Sequence, residues 1–146
     1  MLFRSYLVRS ITSQQLSTKV AAVIYKRFLD LFGGAEPTPQ QVLALTHEQL
    51  RAIGLSNSKA TYVQNVARFA IEKGLDAKIL NKMEDEALIA YLTEIKGVGR
   101  WTAEMIMMFA MGREDVFAVD DLGIQVAIKN LYQLKINETK IGRAHV

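Results

Sequence analysis

A glycine-containing turn, Gly97-Val98-Gly99, separates two segments of helical periodicity and restricts how this part of the chain can fold. Glycine has no Cβ, so the backbone can bend sharply there and approach another molecule closely. The second segment begins at the same point, so its unpaired amides and the positive end of its helix dipole lie beside the turn. A phosphate group is the ligand that such a site favours.

The pattern of apolar residues predicts an all-α protein. Hydrophobic side chains recur with a period near 3.6 residues over most of the chain, and no segment shows the sustained alternation of a strand. Capping boxes at Thr38 and Thr46 predict helix starts, and several glycines predict helix ends. The segment 50–60 faintly echoes the segment 92–103, which suggests two related helix–turn–helix units.

Composition narrows the class of protein. With 146 residues, half of them hydrophobic, the chain has the length of one domain. A net charge of +3 is compatible with a DNA partner without requiring one. The absence of cysteine excludes disulfides and thiolate-bound metals, and two isolated histidines predict no metal site. No apolar run reaches the roughly 20 residues that span a membrane, and no signal-peptide pattern opens the chain, so we expect a cytoplasmic protein.

Both ends of the chain read as foreign sequence. Leu2–Ser5 is what the adapter-like DNA string CTCTTCCGATCT encodes, and Ile141–Val146 is what ATCGGAAGAGCACACGTC encodes. We therefore expect the authentic domain to comprise residues 6–140 and to be truncated at both ends.

Three stretches resemble one protein family. LTEIKGVGRWTAEMI, residues 92–106, resembles the helix–hairpin–helix signature of the HhH-GPD DNA glycosylase superfamily, and the spacing to DVFAVDDLGIQ, residues 115–125, is similar. LVRSITSQQLS, residues 7–17, resembles the first core helices of the DNA-3-methyladenine glycosylase II branch. The resemblance implies an all-α helix–hairpin–helix glycosylase core. Such a protein binds duplex DNA, flips out an alkylated purine such as 3-methyladenine and hydrolyses its N-glycosidic bond, without a metal or organic cofactor.

The resemblance carries the catalytic role onto Asp121, with Asp120 as a capping or supporting neighbour. Cleavage of an N-glycosidic bond builds positive charge on the deoxyribose, which an ionised carboxylate stabilises. The reverse assignment of the two aspartates stays open, as does a simple helix-capping role for both. Superfamily members that also cut the DNA strand carry lysine where Trp101 stands, so the resemblance implies a monofunctional enzyme that leaves an abasic site.

The remaining candidate residues surround the hairpin. The predicted contacts to the DNA backbone are Gly97, Val98, Gly99, Arg100 and Thr102. Trp101 is expected to stack on the flipped base, with a core tryptophan as the alternative. Gln14 and Gln15 are expected to line the same pocket, with an exposed polar turn as the alternative. Lys59 is either a DNA contact or a solvated surface charge, and Lys96 is either a phosphate contact or a solvated charge.

Two other classes of protein are consistent with the same hairpin. One is a non-enzymatic helix–hairpin–helix module that binds DNA, and the other is a structural helical adaptor without salt-dependent DNA affinity. The spacing of Asp121 from the hairpin favours the enzyme over both. We further expect a monomer that works at the nucleoid of a bacterial cytoplasm.

Overall fold

The computed structural model describes residues 3–112, and every helix or strand in this range is an α-helix. The bounds are α1 Phe3–Ser13, α2 Thr18–Asp30, α3 Pro39–Leu43, α4 His47–Ala52, α5 Asn57–Glu72, α6 Ala77–Leu80, α7 Asp85–Thr93 and α8 Arg100–Met111. The predicted all-α class is confirmed for this part of the chain. None of these helices combines the length and the apolar character that crossing a membrane requires.

The helix starts follow the capping residues that the sequence provides. Thr38 and Thr46 each form a complete capping box, and the hydroxyl of Ser56 caps α5. The short helix α6 was not predicted from the sequence. It begins after Asp76, whose side chain caps it, and its four residues are too few to show a helical period.

Helix α5 is central to the described fold. It packs against α1, α3 and α4, while α1 also packs against α2 and α8. The interior side chains of these helices and of α7 include Leu7, Ile11, Leu50, Val63, Leu88, Leu92, Ala103 and Ile106. Each fully buried leucine or isoleucine contributes about 1.5–3 kcal/mol of transfer free energy. This core holds α8 against α1 and α7, and so fixes where α8 begins.

Two helix–turn–helix units, α4–α5 and α7–α8, have turns of the same kind. The glycine of the first turn, Gly54, and that of the second, Gly97, both have a φ of +111°. A buried aliphatic residue follows each glycine, Leu55 in the first unit and Val98 in the second. The faint echo in the sequence therefore has a structural counterpart.

Candidate nucleic-acid interface

The predicted hairpin connects α7 to α8. The amide of Val98 donates a hydrogen bond of 2.9 Å to the carbonyl of Ile95, and both side chains are buried. Gly97 has a φ of +111°, which side-chain-bearing residues rarely adopt, and a Cβ on it would collide with the ring of Tyr62. The turn is thus packed closely against α5, and its sharp bend requires glycine at position 97.

The amides at the start of α8 have no partner within the described part of the chain. Gly99 is the N-cap residue and has no side chain that could accept a hydrogen bond. The amides of Gly97, Gly99, Arg100 and Trp101 donate to no other described residue. Helix α5 differs in one amide, that of Lys59, which donates to the hydroxyl of its N-cap residue Ser56. The open amides and the helix dipole together make the start of α8 a site for an anion.

Arg100, the first residue of α8, is paired with two carboxylates. Its Nη2 lies 2.8 Å from Oε1 of Glu86, and its Nε lies 2.6 Å from Oε1 of Glu104. These hydrogen bonds raise the pKa of Arg100 and lower the pKa of Glu86. The three side chains carry one positive and two negative charges. Arg100 can therefore bind a phosphate only by giving up part of this pairing.

Trp101 and Thr102 are adjacent in α8 but differ in exposure. The side chain of Trp101 is 51% exposed, whereas that of Thr102 is 5% exposed. Within the described residues the indole is therefore not part of the core, and its predicted stacking role stays a prediction. The indole lies at the surface next to the open amides, where a nucleobase can stack on it. Thr102, like Val98, has a buried side chain, so its backbone amide is the group that it can offer to DNA.

The turn after α1 reaches the hairpin. Nε2 of Gln14 donates to the carbonyl of Gly97 over 3.5 Å. The ammonium of Lys59 donates to the carbonyls of Thr12 and Gln14 over 3.1 and 2.5 Å, and burial lowers its pKa. Lys59 is therefore an internal tie between α5 and the end of α1 and not a solvated charge. Gln15 is exposed and has a φ of +60°.

Two residues of α5 that contact the hairpin were not assigned to it from the sequence. Tyr62 lies against Gly97, and Nδ2 of Asn65 donates to the carbonyl of Lys96 over 3.1 Å. The two residues are three positions apart and so lie on one face of the helix, which is the signal that could have paired them. Neither residue is among the candidate site residues that the sequence analysis names. Lys96 itself is exposed, which both of its alternatives, a phosphate contact and a solvated charge, require.

The aspartates Asp120 and Asp121 lie outside the described residues. Their predicted roles in catalysis and support therefore stay predictions. Among residues 3–112, no group of three or more His, Asp or Glu side chains is arranged to hold a metal ion.

Comparison with known proteins adds the family. The sequence matches the model described as "HhH-GPD superfamily base excision DNA repair protein" over residues 8–144, which is nearly the whole chain. The chain belongs to the HhH-GPD superfamily. The helix–hairpin–helix at α7–α8 lies within the matched residues. The narrower assignment to the DNA-3-methyladenine glycosylase II branch stays a prediction.

Relatives and solved structures agree with the HhH-GPD fold. DNA-3-methyladenine glycosylase 1 of Schizosaccharomyces pombe is 36% identical over 137 residues, which cover 92% of this chain and 60% of that protein. The structure of a 3-methyladenine DNA glycosylase from the same yeast in complex with abasic DNA matches with a TM-score of 0.77 at 34% identity, covering 93% of this chain and 67% of that one. DNA-3-methyladenine glycosidase from Bacillus halodurans matches with a TM-score of 0.77 at 40% identity, covering 99% and 69%. The chain therefore spans 60% of the length of the curated yeast relative.

Proposed function

We propose that this chain is the core of a base-excision DNA glycosylase that removes alkylated purines of the 3-methyladenine type and leaves an abasic site. The observation that carries the proposal is the open start of α8, where the amides of Gly97, Gly99 and Arg100 have no partner among the described residues. A superfamily member with an uncapped hairpin can hold the phosphate backbone of duplex DNA at a fixed register.

Three groups divide the work in the proposed reaction. The hairpin amides hold a phosphate, and the exposed indole of Trp101 stacks on the flipped base, with a preference for the positive charge of an alkylated purine. The carboxylate of Asp121 stabilises the positive charge that develops on the deoxyribose as the glycosidic bond breaks. Trp101 has no amine that could attack the sugar, which supports hydrolysis without strand cleavage. The partner that we propose is duplex DNA with alkylated bases, bound by a monomer in the cytoplasm of a bacterium.

A second candidate is a DNA-binding module without catalysis. It is supported by one observation: the open amides and the exposed indole at the hairpin can bind DNA without any chemistry on the sugar. The two candidates differ in whether Asp121 matters.

The test is release of free base from duplex DNA that contains 3-methyladenine. We expect the full chain to release it and Asp121→Asn to lower the single-turnover rate by at least about a hundredfold, because the neutral amide cannot stabilise the developing charge. Asp120→Asn is the matched control and should retain most of the rate. Loss with Asp120→Asn alone would support the reverse assignment of the two aspartates. DNA binding without any base release by the wild-type chain would support the binding module.

A further inference from the structure

Helix α5 presents two side chains, Tyr62 and Asn65, to the inner side of the hairpin turn. The ring of Tyr62 lies so close to Gly97 that no side chain fits there, and Asn65 donates from Nδ2 to the carbonyl of Lys96 over 3.1 Å. The oxygen of the Asn65 amide accepts from Nη1 of Arg68 over 3.4 Å, which keeps the NH₂ group directed to the hairpin. The turn is therefore held to α5 by one packing contact and one oriented hydrogen bond.

By binding the carbonyl of Lys96, Asn65 also fixes the direction of the Gly97 N–H, which it does not contact. The carbonyl of Lys96 and the N–H of Gly97 belong to one trans peptide group, since the described chain contains no cis peptide bond. In a planar trans peptide group these two bonds point in opposite directions. Because the carbonyl of Lys96 points to α5, the N–H of Gly97 points away from it. That N–H donates to no other described residue.

We propose that Asn65 is a positioning residue for DNA binding, because it orients the peptide group between Lys96 and Gly97 so that the N–H of Gly97 is directed to a phosphate. The proposal rests on the DNA binding contained in the proposed function and does not require the glycosidic reaction. Asn65 itself touches no DNA. Gln14 binds the next carbonyl, that of Gly97, but the N–H of that peptide group belongs to Val98 and already donates to Ile95, so Gln14 holds the turn without directing a free amide.

The test compares two alanine variants of the full chain. Each variant loses one hydrogen bond that a side-chain amide of α5 donates to a backbone carbonyl. Asn65→Ala removes the bond to Lys96, and the control Gln64→Ala removes a 2.8 Å bond to the carbonyl of Leu45. The readouts are the Kd for duplex DNA that contains an abasic-site analogue, measured over a series of salt concentrations, and the amide NMR shifts of the hairpin during titration. The melting temperature of each variant is measured alongside.

We expect Asn65→Ala to raise the Kd by about tenfold, the effect of one lost hydrogen bond to a charged group. The slope of log Kd against log salt should not change, because the lost N–H contact carries no formal charge. The shift of the Gly97 amide on adding DNA should shrink while that of Gly99 persists. Single-turnover base release at saturating protein should stay at the wild-type rate, a readout that separates this proposal from the proposed function.

Two results would overturn the proposal. One is a Kd for Asn65→Ala equal to the wild-type value. The other is an equal rise of Kd in Asn65→Ala and Gln64→Ala together with equal losses of melting temperature, which would mean that both bonds only stabilise the fold. If the wild-type chain binds DNA but releases no base, the proposed reaction fails and the role of Asn65 is still tested by the Kd series.

Discussion

The two glycines of the hairpin have different reasons to be glycine. Gly97 has a positive φ and no space for a Cβ, so the fold itself requires it. Gly99 has a φ of −88°, which any residue can adopt, and a Cβ there would meet no atom within 4 Å. The fold itself therefore leaves room for a side chain at position 99, and the phosphate contact of the proposed function is a reason for glycine there.

This contrast gives a prediction for the matched variants Gly97→Ala and Gly99→Ala. Gly97→Ala should lower the free energy of unfolding by about 2–4 kcal/mol, from the strained φ and the collision with Tyr62. Gly99→Ala should lower it by less than about 1 kcal/mol but weaken DNA binding by about tenfold, because its Cβ takes the space of the phosphate. Chemical denaturation and a fluorescence-anisotropy titration measure the two quantities. Wild-type affinity in Gly99→Ala would contradict the phosphate site.

At the scale of the elements, the two helix–turn–helix units have turns of the same kind but differ in the N-cap residue of their second helix. Ser56 caps α5 with its hydroxyl, whereas Gly99 leaves the first amides of α8 without an acceptor. A helix can gain stability from a cap or keep its amides for a ligand, but one amide cannot do both at once. The first turn of α5 therefore has one capped amide, that of Lys59, whose counterpart in α8, the amide of Thr102, has no side-chain cap.

Copying the cap of α5 into α8 tests this reading. In Gly99→Ser the new hydroxyl should accept a hydrogen bond from the amide of Thr102, as Ser56 does from that of Lys59. We expect Gly99→Ser to be more stable than Gly99→Ala by about 1 kcal/mol and to bind DNA more weakly than Gly99→Ala, because one more amide is occupied. Thermal unfolding and DNA titration of both variants provide the comparison. Tighter binding by the serine variant would count against competition for the amide.

The sequence predicted these elements well because their starts and ends are local. The hairpin, the helix at 100–111 and both capping boxes depend on residues within a few positions of each other. The ties that hold the hairpin in place could not be predicted in this way. Lys59, Gln14 and Asn65 reach carbonyls that are 31 to 83 positions away, and one sequence contains no periodic signal for such contacts.

At the scale of the whole molecule, the net charge of +3 is too small to explain DNA binding by long-range attraction alone. The ion pairs at the start of α8 also lower the positive charge at the hairpin, where the phosphate is proposed to bind. Arg100 is held by Glu86 and Glu104, so the hairpin offers its dipole and amides while its nearest arginine is neutralised. This arrangement favours weak, short-range binding of the DNA backbone, which is what the proposed function requires on undamaged DNA.

Removing one of these carboxylates should strengthen binding to undamaged DNA. We expect Glu86→Gln to lower the Kd for a lesion-free duplex by about threefold and to steepen the salt dependence by up to one ion equivalent. The reason is that both Nη groups of Arg100 lose their carboxylate partner and can bind a phosphate, while Nε stays paired with Glu104. Asp30→Asn, which removes a carboxylate paired with Lys26 on α2, makes the same change in net charge and serves as the control. Equal effects in both variants would point to net charge and not to Arg100.

The exposure of Trp101 has a practical consequence. The chain contains a single tryptophan, and the structure puts its indole at the surface in the first turn of α8. All of the tryptophan fluorescence of this protein therefore originates beside the hairpin. The molecule has a built-in optical probe at the spot where its partner is proposed to dock.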